Sequence, residues 1–165
     1  LTILKKMSQQ LAERIREQLQ NAFKDRISAA LVGAADADVA CVCDLYAEMR
    51  TKLCGLVPNR ADLHAEIEAA FDVEFLRQRL RHRAMDARAF QDVATAAFAK
   101  LRQFQAPDRD AATQRNLQEI LSDAETDLPK AVGRFVFDFN QELDRTAESV
   151  RAFREMVRGH KPQRA

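Results

Sequence analysis

The sequence has little of what interrupts a helix: it holds four glycines and four prolines in 165 residues, no tryptophan and one tyrosine. Alanine, leucine, glutamine, glutamate and arginine are abundant instead, and these residues favour helix over sheet or disorder. A chain of this length buries roughly 70% of the surface that its unfolded form exposes, which is enough for one real core. We therefore predict an all-α fold, a single bundle of about six or seven helices.

Long apolar runs are also missing. No stretch approaches the ~20 consecutive apolar residues that a membrane span requires. The opening residues, Leu1 to Lys6, lack the long apolar stretch and the small-residue cleavage site of a signal peptide. The charge is balanced, with 26 Lys and Arg residues against 25 Asp and Glu residues, which counts against nucleic acid as the main partner. We expect a soluble, cytoplasmic protein with no membrane partner.

Cysteine is too rare for a disulfide framework and wrongly spaced for a metal site. There are three cysteines, an odd number. Cys41 and Cys43 lie two apart in a helical pattern and so point to nearly opposite sides, while Cys54 lies ~16 Å beyond Cys43 along the helix. One zinc ion cannot collect all three thiolates. We interpret the cysteines, with His64 and His82, as structural side chains and expect no metal.

Patterns for catalysis are equally sparse. Gly33, Gly55, Gly133 and Gly159 stand isolated, so no glycine-rich loop is available to cradle a phosphate. The chain has three histidines, one of them near its end at His160, and nothing in the sequence pairs a nucleophile with a base. We expect no enzymatic activity, no catalytic residue and no cofactor.

Apolar spacing predicts the first two helices. From about Ile3 to Leu31 the apolar residues recur in steps of four, so their stripe winds around the helix and its two ends should meet different neighbours. Asp36 or Asp38 is expected to cap the second helix, which ends before Pro58. Its apolar face consists of Val39, Val42, Tyr46, Met49, Leu53 and Leu56.

Aspartate and proline mark the boundaries of the helices that follow. Two short helices come next, the second of them capped by Asp72, and Asp86 is predicted to cap a fifth helix that Pro107 ends. A sixth helix, roughly Asp108 to Ala124, has few apolar anchors, and its polar surroundings predict a position at the surface. The last helix is expected to start near Asp127.

The last segment carries two patterns at once. Phe135, Phe137 and Phe139 alternate as in a strand, but a three-and-four repeat from Val132 to Val157 extends over more than twenty residues and predicts a helix. Successive helical residues point about 100° apart, so no single neighbour can cover Phe135 and Phe137 together. Either this helix is central, or Phe135 or Phe137 forms an interface with a partner or a second copy of the chain. Residues 159–165 are predicted to form a polar tail after one domain of residues 1–158.

One cluster is a candidate binding surface for a partner. Asp86 is the only acid among five arginines that fall within twelve residues, namely Arg77, Arg79, Arg81, Arg83 and Arg88. Their field can hold an acidic protein, a phosphate or a nucleic acid. The alternative interpretation is a solvated helix end, where the helix dipole favours arginine. On a helix, Arg77, Arg81 and Arg88 share one side, whereas Arg79 and Arg83 share another. Phe75 flanks the cluster but is assigned to the core, so base stacking is poorly supported.

Several stretches of the chain match the motifs of one known family in the same order, and the most specific is Gln105-Ala106-Pro107-Asp108-Arg109-Asp110. It is similar to the Ala-Pro-x-Arg-Asp/Glu signature of the T-complex protein 11 family, and the chain resembles the amino-terminal part of that family's domain. Met85-Asp86 stands where the family has an apolar residue and an aspartate that opens a helix. The similarity is good from Leu11 to Asp110 and weaker from Ala111 to Val157. The other matching stretches are Leu11 to Leu31, Leu45 to Arg50 and Leu63 to Leu76.

The resemblance implies an all-helical, non-enzymatic protein from a family with members tied to cyclic-AMP and protein kinase A signalling. It implies no catalytic residue. The chain departs from the family between Arg77 and Ala84, which is more basic than the family's turn and lacks glycine. We expect a helical adaptor that contacts proteins, an acidic protein among them. The alternatives are a nucleic-acid- or phosphate-binding module that uses the arginine cluster, and a self-associating structural bundle.

Overall fold

The computed structural model describes residues 2–32 and 35–159, and within them the chain forms seven α-helices and no strand. The predicted all-α fold is therefore confirmed. A short 3₁₀ turn, Pro107–Arg109, stands between the fifth and sixth helices. The helices are α1 (Thr2–Leu31), α2 (Asp36–Leu56), α3 (Ala61–Ala70), α4 (Val73–Arg81), α5 (Ala87–Arg102), α6 (Asp110–Thr126) and α7 (Leu128–Gly159).

Three aspartates hold the starts of helices where the sequence predicts them. The side chains of Asp72, Asp86 and Asp127 each accept a hydrogen bond from the backbone N–H three residues further on, at 3.0, 2.8 and 3.2 Å. Such bonds satisfy backbone donors that a helix start leaves unpaired. The predicted cap of α2 is wrong, because Asp36 and Asp38 lie inside its first turn and no side-chain cap is formed. There the helix dipole favours their negative charge.

The middle of α7 is the centre of the bundle. This helix contacts α1, α2, α5 and α6. Its Phe135 and Phe139 are buried against Phe90 and Phe98 of α5, with ring centroids 5.7 Å apart for Phe90 and Phe135 and 5.4 Å apart for Phe98 and Phe139. Both pairs meet edge to face, an arrangement that aromatic rings prefer. The six predicted core residues of α2 are all buried.

The sixth helix is not the surface helix that its polar sequence predicts. It packs between α5 and α7 and buries Thr113, Leu117, Ile120 and Ala124. A threonine and an alanine supply half of this face, so a search for large apolar residues finds only part of it. Gln91 of α5 adds a polar contact, because its Nε2 donates to the backbone oxygen of Leu121 at 2.8 Å.

The first helix contacts the bundle only near its end. Residues 2–22 are exposed throughout, whereas Ile27 and Ala30 are buried. Lys24 Nζ pairs with Asp127 Oδ2 at 3.1 Å, and a Cβ placed on Gly133 would lie 3.5 Å from Ile27 Cδ1. The prediction that both ends of the stripe meet neighbours is therefore wrong. Every residue from 2 to 22 is exposed, whichever way its side chain points, so this part of α1 extends beyond its contacts with α2 and α7.

Only the first residue of the predicted polar tail lies among the residues that the structure describes. Gly159 is the last residue of α7, and residues 160–165 lie outside the described residues.

No helix within residues 2–32 and 35–159 is both long enough and apolar enough to cross a membrane.

Candidate functional site

The five clustered arginines do not share one helix. α4 ends at Arg81 and α5 begins at Ala87, so a turn separates Arg81 from Arg88. Arg83 lies in this turn with φ of 55°, the left-handed region that is uncommon for a residue with a side chain. The prediction that Arg77, Arg81 and Arg88 share a side is wrong, because it needs a helix that continues through the turn.

Two of the five arginines are held by the protein itself. Arg77 Nε lies 3.8 Å from Glu74 Oε1, and this nitrogen is buried without a hydrogen-bond partner. Arg79 places its guanidinium carbon 5.1 Å from the centre of the Phe75 ring, a cation–π contact. These two residues shape the end of α4, and their charge is less available to a partner than that of an exposed arginine.

The other three arginines form the candidate binding surface, here named the arginine turn: Arg81, Arg83 and Arg88. All three are exposed, and none forms an ion pair with another described residue. Phe75, in the first turn of α4, is 46% exposed, so its assignment to the core is wrong. Its ring stacks under Arg79 instead of packing inward. The candidate surface therefore consists of three open cations.

The two candidate interface aromatics of α7 have opposite positions. Phe135 is only 3% exposed at the centre of the aromatic cluster, and Phe137 is 54% exposed. The prediction of an interface is corrected to Phe137 alone, because α5 and the rest of α7 already cover Phe135. Val136, which lies between them, is half-buried. The three consecutive residues therefore differ in exposure, as the sequence predicts for helical residues that point in different directions.

The signature residues attach the start of α6 to the middle of α7. Arg109 donates to Oε1 of Glu142, which is buried, and Arg145 Nη1 donates to the same oxygen at 3.0 Å. The hydrogen bond to Glu142 raises the pKa of Arg109. Gln105 Nε2 donates to Asp110 Oδ1 at 2.9 Å. The signature thus connects α6 to α7, and the segment from Ala106 to Asp110 is here named the joint. Sequence reasoning missed Glu142 because its partner Arg109 lies 33 residues away.

The side chains of Cys43 and His64 have structural surroundings, whereas His82 is exposed. Burial raises the pKa of the Cys43 thiol, although nearby Arg77 acts against this, so the thiol stays protonated and weakly nucleophilic at neutral pH. His64 Nε2 lies 2.7 Å from the backbone oxygen of Val57, beyond the end of α2. Within the described part of the chain, no three His, Cys, Asp or Glu residues come together as a metal site would require.

Two further apolar surfaces are exposed, and the sequence analysis did not single them out. The first, the α1 ridge, consists of Leu4, Met7, Leu11, Ile15 and Leu19, which are between 49% and 70% exposed. The second, the α7 tip, consists of Phe153, Met156 and Val157. The signal was present in the steps of four, which predict a helix but do not say whether its apolar face has a neighbour.

A family comparison decides the identity of the chain. The model of the T-complex protein 11 family matches residues 3–156, which run from the exposed part of α1 to the α7 tip. The chain belongs to the T-complex protein 11 family. No curated protein and no solved structure matches it. The Ala106 to Asp110 joint, the α1 ridge and the arginine turn therefore all lie inside the T-complex protein 11 match.

Proposed function

We propose that this T-complex protein 11 family member is a non-enzymatic, cytoplasmic adaptor that contacts acidic proteins in cyclic-AMP and protein kinase A signalling. The family membership supports the signalling context. The observation that carries the contact is the arginine turn, where the exposed cations stand at the last residue of α4, in the turn, and in the first turn of α5, and both helices have buried residues in the core. Three buried side chains fix the turn: Leu80 before it, Met85 within it and Phe90 after it.

Such a turn suits recognition of a negatively charged surface. Exposed arginines without internal partners lose no intramolecular ion pair when a partner binds, and they attract acidic proteins over distances comparable with the Debye length. Arginine is enriched among the residues that contribute most to protein interfaces.

The experiment measures binding of purified protein kinase A subunits to the immobilised chain, with and without cyclic AMP. Replacing Arg81, Arg83 and Arg88 together with Ala is expected to weaken retention about tenfold or more. The matched control removes three exposed cations elsewhere, Arg26, Arg115 and Lys130. Retention that is equal in the two variants, or absent in the unchanged chain, would contradict this assignment of partner and surface.

The same turn favours one alternative, a module that binds nucleic acid or phosphate. Its supporting observation is the exposed Phe75 ring, which lies under Arg79 on the helix that ends at the turn, since bases stack on accessible aromatic rings. A titration with single-stranded RNA across salt concentrations separates the two functions. Binding through three phosphate contacts would fall with a logarithmic salt slope of about −2. A Phe75→Ala variant would then lose RNA binding and keep retention of the kinase subunits.

A further inference from the structure

The exposed part of α1 is an amphipathic helix without a neighbour. On a helix that turns about 100° per residue, the α1 ridge falls within an arc of about 120° along a length of ~24 Å. The side chains of residues 2–22 are all exposed, so nothing in the described bundle covers this face. Met7, Leu11, Ile15 and Leu19 form one row in steps of four. Such rows are the ridges that pack into grooves between the side chains of other helices.

The charges beside the ridge are all positive. Lys5 and Arg16 border one edge of the arc and Arg14 the other, each within about 120° of its centre. Glu13 and Glu17 lie about 180° and 140° from that centre, on the reverse of the helix. None of these five residues forms an ion pair with another described residue. The face therefore presents an apolar row between cations.

We propose that the α1 ridge docks in a helical groove of another protein, an apolar groove whose rims carry Asp and Glu side chains opposite Lys5, Arg14 and Arg16. This mode buries an amphipathic helix along anchors spaced three and four residues apart. The rim acids pair with the three cations and fix the register of the helix. The proposal rests on the adaptor function and adds a second contact surface with its own partner chemistry.

A second copy of the chain fits this face poorly. In an antiparallel pair centred on Leu11, Lys5 of one copy lies beside Arg16 of the other. In a parallel pair, Arg14 of one copy lies beside Arg16 of the other. Like charges at such positions oppose association. A lipid surface also fits poorly, because Ser8 and Gln18 lie within the apolar arc and the described part of α1 before Phe23 has no aromatic residue, whereas interfacial helices use Trp and Phe as anchors.

The test uses two synthetic helical peptides with the same leucine ridge, one flanked by Glu and the other by Lys. Fluorescence anisotropy measures their binding to the full chain. The Glu-flanked peptide is expected to bind about tenfold more tightly, as three exposed charge pairs allow, and this preference should shrink at high salt. The Leu11→Ser, Ile15→Ser double variant is expected to lose binding. The Lys5→Glu, Arg14→Glu, Arg16→Glu triple variant is expected to prefer the Lys-flanked peptide.

The matched control makes the same charge reversal at the arginine turn, Arg81→Glu, Arg83→Glu and Arg88→Glu, and should keep the preference for the Glu-flanked peptide. A preference that follows this control instead, equal affinity for both peptides, or no binding would overturn the proposal. Ridge-dependent binding to phosphatidylcholine–phosphatidylserine vesicles in place of the peptide would overturn it in favour of a membrane. Ridge-dependent dimers in sedimentation would do so in favour of a second copy. The binding of protein kinase A subunits through the arginine turn is measured in a separate experiment. A failure of the α1 ridge proposal can therefore be distinguished from a failure of the proposed function.

Discussion

Glu142 is the residue on which the connection between α6 and α7 depends. Its side chain is 8% exposed and accepts from Arg109 and Arg145, whereas the two arginines are 38% and 51% exposed. Folding therefore removes more water from the carboxylate than from the two guanidinium groups. The charged hydrogen bonds offset the free-energy cost of this desolvation. Its second oxygen, Oε2, is buried without a protein partner. The charge of Glu142 is therefore well placed for the two arginines and poorly tolerated without them.

Replacing Glu142 with Gln is expected to destabilise the protein by about 1–3 kcal/mol, the usual worth of hydrogen bonds to a charged group. Urea unfolding measures the change. Glu148, an exposed residue of the same helix, provides the control, and its change to Gln should stay within ~0.5 kcal/mol. Equal effects of the two substitutions would show that the Arg109–Glu142 contact contributes nothing specific.

The two neighbouring aromatics of α7 give opposite expectations. Phe137 is exposed, so Phe137→Glu should change the free energy of unfolding by only ~0.5 kcal/mol. Phe135 is buried, so Phe135→Ala should cost about 3–5 kcal/mol. Urea unfolding measures both, and sedimentation of the Phe137→Glu variant shows whether Phe137 holds copies together. A large loss of stability in Phe137→Glu would contradict its exposed position.

Asp127 gives the contact between α1 and α7 a dependence on pH. The hydrogen bond from Lys24 and the backbone N–H of Lys130 hold the pKa of Asp127 below its ordinary value. A carboxylate with a lowered folded-state pKa contributes stability above its unfolded pKa of about 3.9, and this contribution is lost as pH falls through the folded value.

Asp127→Asn should therefore lower stability at neutral pH and lose less stability than the unchanged protein as pH falls below about 4. Thermal unfolding at neutral pH and near pH 3 measures the difference. Asp144 is exposed and forms no ion pair with another described residue, so Asp144→Asn is the control. Identical acid sensitivity of the Asp127→Asn variant and the unchanged chain would contradict the pKa assignment.

At the scale of elements, α1 differs from the other helices because no other described helix packs against its first two thirds. An isolated helix shorter than ~12–15 residues is marginal in water, and longer ones remain sensitive to temperature. Residues 2–22 therefore depend on their own propensity and on continuity with the anchored turn around Ile27. A surface that docks on a partner gains from such a helix, because its apolar row is already formed and open.

Removing residues 1–20 is expected to leave the stability of the bundle within ~0.5 kcal/mol of the full chain. Amide hydrogen exchange should be fast in this segment and slow in the middle of α7, since exposed helical turns open locally at little cost. Urea unfolding and exchange mass spectrometry measure the two effects. Exchange in residues 3–20 as slow as around Phe139 would show that α1 has a neighbour that the structure lacks.

The sequence predicts a helix boundary or a buried face correctly when the interactions that produce it lie within a few residues of it. The α2 face and the caps Asp72 and Asp86 follow from spacing and from hydrogen bonds within three residues, and the sequence predicts them correctly. The shared side of Arg77, Arg81 and Arg88 was predicted wrongly because it treats the cluster as one helix, although α4 ends at Arg81 and the Asp86 cap begins α5. The burial of α6 was missed because Thr113 and Ala124 count for little in an apolar pattern.

At the scale of the whole molecule, one tyrosine reports on the core. Tyr46 is buried, its ring lies 5.0 Å from that of Phe71, and its hydroxyl donates to the backbone oxygen of Ala70 at 3.4 Å. The chain has no tryptophan, so its intrinsic fluorescence comes from this residue. Circular dichroism, in contrast, reports on all helices, including the unsupported part of α1.

Tyrosine fluorescence is expected to show one cooperative thermal transition. The circular dichroism of the full chain should show the same transition after a gradual loss of helix from α1, whereas the two curves should coincide in a chain without residues 1–20. Curves that coincide in the full chain would mean that α1 unfolds with the bundle.

The sequence by itself determined the helical class, most helix boundaries, the buried face of α2 and the T-complex protein 11 resemblance that the family match confirms. Each of these follows from the order of residues within a few turns of helix, where backbone hydrogen bonding is local. Only the tertiary structure decided that Phe135 is buried and Phe137 exposed, that Arg109 pairs with Glu142, and that no other described part of the chain covers the α1 ridge. Burial depends on which distant helices pack against a face, and periodicity marks an apolar face without naming what covers it.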